Sequence, residues 1–299
     1  MATLAPAHTR AHAADKSSGL LSANEMRWLN RAIGYAFLIR AGVALLLDWS
    51  GFSSRLAPDE TTFQALGWHL SLYWSGEVLA PPAKMLQGGI STGYLNVCAF
   101  FHYLFGYTSV PIKLTNALLG ALSLRYLYFL ARALFQEEVA RKATLLVMIF
   151  PSLILWSALN IRDAWVIFLI LFISWKSWLL LETYTTSTLI QLIAALFTVT
   201  LFRDHLFYGV AAPPAIALLI GRRGNLGRNF LVSIVVSIGV LFLLQHGVIG
   251  EHTQSRMSLE ALSEMRKHMA SGGSAYAQDA DISTPVGALT FLPLGLAYF

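Results

Sequence analysis

The segment Phe150–Ile170, FPSLILWSALNIRDAWVIFLI, sets two apolar runs on either side of a short turn that carries Arg162 and Asp163. The upstream run belongs to Ala143–Asn160 and the downstream run continues as Ala164–Leu181. Each approaches the roughly 20 mostly apolar residues that an α-helix needs to cross a hydrocarbon core. The pair therefore reads as two membrane spans, and the span ends fix the charged turn between them at one membrane face.

The same criterion, applied outward, gives spans at Arg31–Leu47, Pro111–Leu134, Ser187–Leu201, Leu206–Gly221 and Asn229–Ile249. A last run starts at Pro285 and is still apolar at Phe299, so it is expected to be the start of a further, truncated span. Of the residues, 56% are hydrophobic and 12% charged, and the mean hydropathy is +0.59, too apolar for a soluble domain of this length. The expected fold is an all-α, multi-pass membrane bundle of about eight spans. The formal net charge of +5 does not point to nucleic acid, because Lys and Arg cluster between the apolar runs, as membrane orientation requires. Cys98 is the single cysteine, which excludes an internal disulfide and leaves no Cys/His set for structural zinc. Met1–Leu29 is polar and Ala/Ser-rich without an apolar core, so residues 1–29 read as a disordered cytoplasmic tail and not as a cleaved signal.

Topology turns on Thr92–Tyr107, TGYLNVCAFFHYLFGY, which is apolar but short. If it crosses, the basic loop with Arg132, Arg141 and Lys142 falls outside, against the positive-inside rule. If it lies along the surface as an amphipathic helix, Arg27 and Arg31, the 132–142 loop, and Arg222, Arg223 and Arg228 all become cytoplasmic. The second arrangement is adopted. It places Asp48–Val110, Asn160–Asp163, Arg203–His205 and Gly250–Thr284 outside, with the amino terminus inside. Trp49, Trp68, Tyr73 and Trp74 suit helices lying in the interface within the first outer stretch. In the last one, Leu259, Leu262, Met265 and Met269 have helical spacing ahead of a loop, SGGSAYAQDAD.

Two acidic points stand out on the outer face: Asp59-Glu60 in the first loop and Asp163 in the tight turn. Attack of an acceptor hydroxyl on an anomeric carbon needs a general base, and nearby carboxylates stabilise an oxocarbenium-like transition state. A departing lipid phosphate needs cations or several donors, and Lys84, Lys113, Arg162 and Arg203 are the outer-face cations available. Headgroup anchoring is the plainer role for each of these four. Asp279-Ala-Asp281 mimics a DxD nucleotide-sugar motif but falls in a predicted outer loop, so no metal site is assigned there. Arg40 falls mid-span, where a charge must face a helix partner or a cavity. Pro213-Pro214 should kink its span. His102, His205, His246 and His252 form no ligand spacing.

The order of these elements resembles a known family. An acidic pair in a long first outer loop, a surface helix ending at Phe105-Gly106, the span NALLGALSLRYLYFLARALF and then FPSLILWSALNIRDAWVIFLI look like the C-type (GT-C) membrane glycosyltransferases. Within these, the chain is similar to the protein O-mannosyltransferase, aminoarabinose-transferase and related bacterial families. The likeness covers Arg31–Leu181. It departs from the family in lacking the carboxyl-terminal spans or domain and a second aspartate beside Asp163. The resemblance implies transfer of a sugar from a polyprenyl phosphate to a glycan, lipid or protein acceptor at the outer face of a bacterial cytoplasmic membrane. It implies Asp59 as the carboxylate nearest the acceptor, beside Glu60, with Asp163 as the second acidic residue of the site. No cofactor is implied, and a divalent metal has no support in the sequence. On this reading residues 30–249 form a GT-C-like transmembrane module with outer loop 48–110, residues 250–284 an outer loop with an amphipathic helix, and residues 285–299 the start of the truncated span. The rival readings are a transporter or flippase for a lipid-linked or small solute, favoured by Arg40 facing a buried acid, and a noncatalytic assembly subunit, favoured by Asp59 and Asp163 lying far apart.

Overall fold

The computed structural model describes residues 21–86, 91–203 and 206–220, together with 263, 282–284, 286–287 and 290–291. The expected span Asn229–Ile249, the helix around Leu259–Met269, Asp279, Asp281, His205, His246 and His252 lie outside the described residues. Two units are distinguished, Met1–Phe230 and Leu231–Phe299. In the second, the Thr284 hydroxyl oxygen accepts from the Gly287 N–H at 3.1 Å.

The described residues of the first unit are mostly helical, with no strand among them. Its elements are α1 (Ala23–Ser50), α2 (Ser53–Leu56), α3 (Pro58–Trp74), α4 (Ala83–Leu86), α5 (Thr92–Phe105), α6 (Val110–Leu134), α7 (Glu137–Ile149), α8 (Pro151–Ala158), α9 (Asp163–Glu182), α10 (Thr186–Phe202) and α11 (Leu206–Ile220). Among the described residues α1, α6 and α9 are long and apolar enough to cross a membrane, and α7 with α8 forms a fourth candidate bent by 55°. α10 and α11 are shorter apolar helices.

Local chemistry sets the element ends. Helix α1 starts at Ala23, inside the stretch expected as tail, because Ser22 and Glu25 form a reciprocal capping box. Glu25 also accepts from the Tyr128 hydroxyl at 3.1 Å and from Arg132 Nε at 3.0 Å, tying the start of α1 to the end of α6. Along α1 the buried residues Leu29, Ala32, Ala36, Arg40 and Ala44 share one helical face. On α6 that face is Ala117, Ala121, Leu124 and Tyr128. Small residues at both positions let the two backbones approach closely, the usual packing mode where lipid removes the hydrophobic drive between helices.

Arg40 sits within this interface, 1% exposed. Its guanidinium donates to the carbonyls of Ala36 (3.2 Å), Met148 (3.2 Å) and Val147 (3.3 Å). The last two lie at the α7–α8 break. Pro151 has no N–H with which to satisfy the Val147 carbonyl, and the extended Phe150 interrupts the ladder. The mid-span arginine thus supplies the donors that the broken helix lacks.

Helix α5 has 14 residues, about 21 Å at 1.5 Å per residue, short of the roughly 30 Å core. It packs on α3, where a Cβ at Gly67 would lie 2.6 Å from the Cys98 Cβ. It also meets α10, where a Cβ at Gly93 would lie 2.7 Å from the Leu201 Cβ. Both contacts require glycine.

Arg40→Met should leave the Val147 and Met148 carbonyls unsatisfied in an apolar surround, at about 1–3 kcal/mol each. Thermal unfolding in detergent should therefore start several degrees lower than for the wild type, and an unchanged transition would show that the break holds without the arginine.

Candidate active site

The helices alternate in direction, so the carboxyl ends of α1, α8 and α10 and the amino ends of α3, α5, α6 and α9 converge at one end of the first unit. Two polar networks are built there.

The first is centred on Lys113, which is 1% exposed. Its ammonium lies 2.8 Å from Glu60 Oε1 and 2.9 Å from Asp48 Oδ1, and donates to Ser53 Oγ at 3.2 Å. Ser53 donates to Glu60 Oε1 at 2.9 Å and Ser109 donates to Asp48 at 2.5 Å. The other Glu60 oxygen accepts the backbone N–H of Asn160 at 3.2 Å. Both oxygens of this buried carboxylate are therefore engaged, one by a cation and a hydroxyl and one by the α8–α9 turn.

The second network holds that turn from the α6 side. Asn116 Nδ2 lies 2.7 Å from the Leu159 carbonyl oxygen, 2.9 Å from that of Ile161 and 2.9 Å from the Tyr94 hydroxyl. The Trp165 indole N–H donates to Asn116 Oδ1 at 2.9 Å, and the Tyr94 hydroxyl donates to Asn160 Oδ1 at 2.8 Å. Full burial pushes the Tyr94 phenol well above its ordinary pKa, so it stays a hydrogen-bond donor. Burial likewise raises the Cys98 thiol, which leaves it unreactive. Phe63, Phe202 and Trp165 complete an aromatic wall, with Phe63 edge-on to Tyr94 at 4.9 Å and Trp165 stacked on Phe202 at 5.2 Å.

The sequence-predicted residues fall on this frame in different ways. Asp59 is exposed on the first turn of α3, one residue from the buried Glu60. Asp163 opens α9 and pairs with Arg203 at 2.8 Å, both side chains about one-third exposed. Arg162 contacts the Ser91 hydroxyl and lies over the Phe63 ring, 6.0 Å from its centroid. Ser91 in turn donates to the Phe202 carbonyl at 2.7 Å. The structure thus joins Glu60 with Lys113, joins Asp163 with Arg203, and places Arg162 at the amino end of α5. Lys84 is exposed on α4 and forms no ion pair with these residues. Among the described residues no three His, Cys, Asp or Glu side chains gather as a metal-ligand set.

Asp48, Ser53, Tyr94, Asn116 and Trp165 were not singled out in the sequence. Asn116 carried the clearest signal, a carboxamide inside an apolar run three residues after Lys113. A polar side chain inside a span requires a partner.

A helical membrane bundle with acidic and basic side chains gathered at one end fits a membrane glycosyltransferase of the GT-C type. The family model of dolichyl-phosphate-mannose-protein mannosyltransferases matches residues 94–247, just over half the chain, and the chain belongs to that family. The matched segment holds Asn116, Arg162, Asp163 and Arg203, and begins after Asp59 and Glu60. No curated protein and no solved structure matches.

Lys113→Met should strip the buried Glu60 and the partly exposed Asp48 of their cation, and breaking the buried pair costs about 3–5 kcal/mol. The variant should be poorly folded in detergent, and adding Glu60→Gln should recover part of the loss. A double variant no more stable than Lys113→Met would show that the two side chains are uncoupled.

Proposed function

We propose that this glycosyltransferase moves a sugar from a polyprenyl-phosphate donor to an acceptor at the outer face of a bacterial cytoplasmic membrane, with its amino terminus in the cytoplasm. The observation that carries this reading is the bond from the Asn160 N–H to Glu60. It ties the first loop, which presents Asp59, to the turn that presents Arg162 and Asp163. An exposed carboxylate, a partly exposed Asp163–Arg203 pair and a second guanidinium then share one end of the helices.

In the proposed reaction Asp59 accepts the proton of the acceptor hydroxyl as its oxygen bonds to the anomeric carbon. The bond from that carbon to the phosphate oxygen breaks, and the charge on the departing phosphate falls to Arg162 and Arg203. Asp163 holds Arg203 in place until the phosphate competes for it. Glu60 and Lys113 act on this centre by position, since both are buried and satisfied. Lys84, on the exposed α4, is a further cation for the donor phosphate. Arg40 faces carbonyls and no buried acid, so the structure adds nothing to the transporter reading.

The orientation assigns the opposite end to the cytoplasm, where Arg27, Arg31, Arg132, Arg141 and Lys142 gather, in keeping with the positive-inside rule. Helix α5 then rests at the outer surface, with Phe100, Tyr103 and Phe105 exposed to the interface. Single cysteines replacing the exposed Lys84 and Tyr107 should both react with an impermeant maleimide applied from outside, the buried native Cys98 giving no background. Labelling of the two sites from opposite sides would mean that α5 crosses, and would refute the topology.

Asp59→Asn should fold and insert normally, because the lost carboxylate is exposed, and should lower single-turnover sugar transfer by about 10²- to 10⁴-fold. Asp163→Asn should also lose transfer, with weaker donor binding as Arg203 loses its anchor. Near wild-type turnover by purified Asp59→Asn would overturn its assignment as base.

A further inference from the structure

Away from the site, α6 and α9 meet along an aromatic seam toward Leu134 and Glu182. Tyr126 packs edge-on against Phe168 at 5.4 Å and Phe172 at 5.2 Å, and Phe129 lies 5.3 Å from Trp175. A cation caps each side of the seam. Arg125 Cζ sits 5.5 Å from the centroid of Phe129, and Lys176 Nζ sits 5.5 Å from that of Phe172. Arg125 is exposed and Lys176 partly so.

Three other cations toward this end are each matched with a glutamate: Arg132 with Glu25, Arg141 with Glu137 and Lys142 with Glu138. Among the described residues Arg125 and Lys176 have no carboxylate partner and rest on ring faces alone. Both also lie inside long apolar helices. At 1.5 Å per residue Arg125 is about 14 Å from the Leu134 end and Lys176 about 9 Å from the Glu182 end. Arg125 reaches over Phe129, one turn nearer the Leu134 end, whereas Lys176 rests over Phe172, one turn farther from the Glu182 end; its alkyl chain is long enough to turn instead toward the headgroup layer.

We propose that this seam binds the phosphate of an anionic phospholipid in the leaflet opposite the Asp163 end, through Arg125 and Lys176. Two cations on one seam, with no acid beside them among the described residues, leave a positive charge that an anionic headgroup neutralises. A zwitterionic headgroup carries its own ammonium and does so less well. The aromatic faces offer the acyl chains a rigid apolar surface beside the charges. The inference is independent of the transferase chemistry, because it concerns the other end of the same helices.

The test is native mass spectrometry of the full chain extracted from vesicles of equimolar phosphatidylglycerol and phosphatidylcholine. Wild type should retain phosphatidylglycerol preferentially, by about fivefold for each cation, and the preference should shrink as salt is raised during extraction. The double variant R125Q/K176Q should lose it, while R125K/K176R, which preserves both charges, should keep it. Equal retention of the two lipids by wild type would overturn the proposal even if the variants failed to fold, and so would full preference in a folded R125Q/K176Q. Sugar transfer is not read in this experiment, so its outcome leaves the proposed reaction standing or falling on its own test.

Discussion

The candidate site depends on one buried carboxylate. Glu60 is 3% exposed and accepts from an α6 lysine, an α2 serine and the backbone of the α8–α9 turn. A carboxylate taken out of water is costly unless it is paired and its remaining lone pairs are filled. Those partners are therefore conditions for the charge to be buried at all. Asp48 adds a second negative charge around the single lysine, and it remains about one-third exposed, so part of that excess is left to solvent.

This arrangement divides the labour of two adjacent acids. Consecutive residues on a helix point about 100° apart, so when Glu60 turns inward to the lysine, Asp59 must turn outward. The inner residue fixes the start of α3 against the turn before Asp163, and the outer one remains available to a substrate. Helical geometry alone already separates the two acids, and the structure adds the burial gradient that says which one faces inward.

Much of the frame was legible because its signals are local. Apolar runs gave both ends of α6 and α9 and the carboxyl end of α1 closely, whereas α1 begins at Ala23, well before the apolar run at Arg31, because its first turns are capped and paired and not apolar. The glycine at 106 and the shortness of the preceding run marked the end of α5. What was not legible depends on pairings across forty residues or more. Lys113 looked like a headgroup anchor because nothing near it in sequence announces Asp48 or Glu60. Arg203 looked like a free cation because its partner lies forty positions upstream. Asn116 holds both carbonyls that flank Asn160, and nothing near it in sequence announces them. The break at Phe150 was concealed inside an uninterrupted apolar run, since Pro151 at the start of α8 leaves hydropathy almost unchanged while removing a donor.

That break links the middle of the helices to the site. A straight α7–α8 span would need no arginine beside it, and an arginine without a break would find no unfilled carbonyls. Arg40 and Pro151 are therefore mutually dependent features: the proline frees the carbonyls that make a buried guanidinium tolerable, and the guanidinium fills the ladder that the proline opens. Because α8 leads directly into Asn160, the direction it takes after the bend determines where the turn meets Glu60 and Asn116. The geometry of the acidic end is thus set partly by a hydrogen-bonding problem solved well away from it, in the apolar interior where an unsatisfied backbone group is least tolerable.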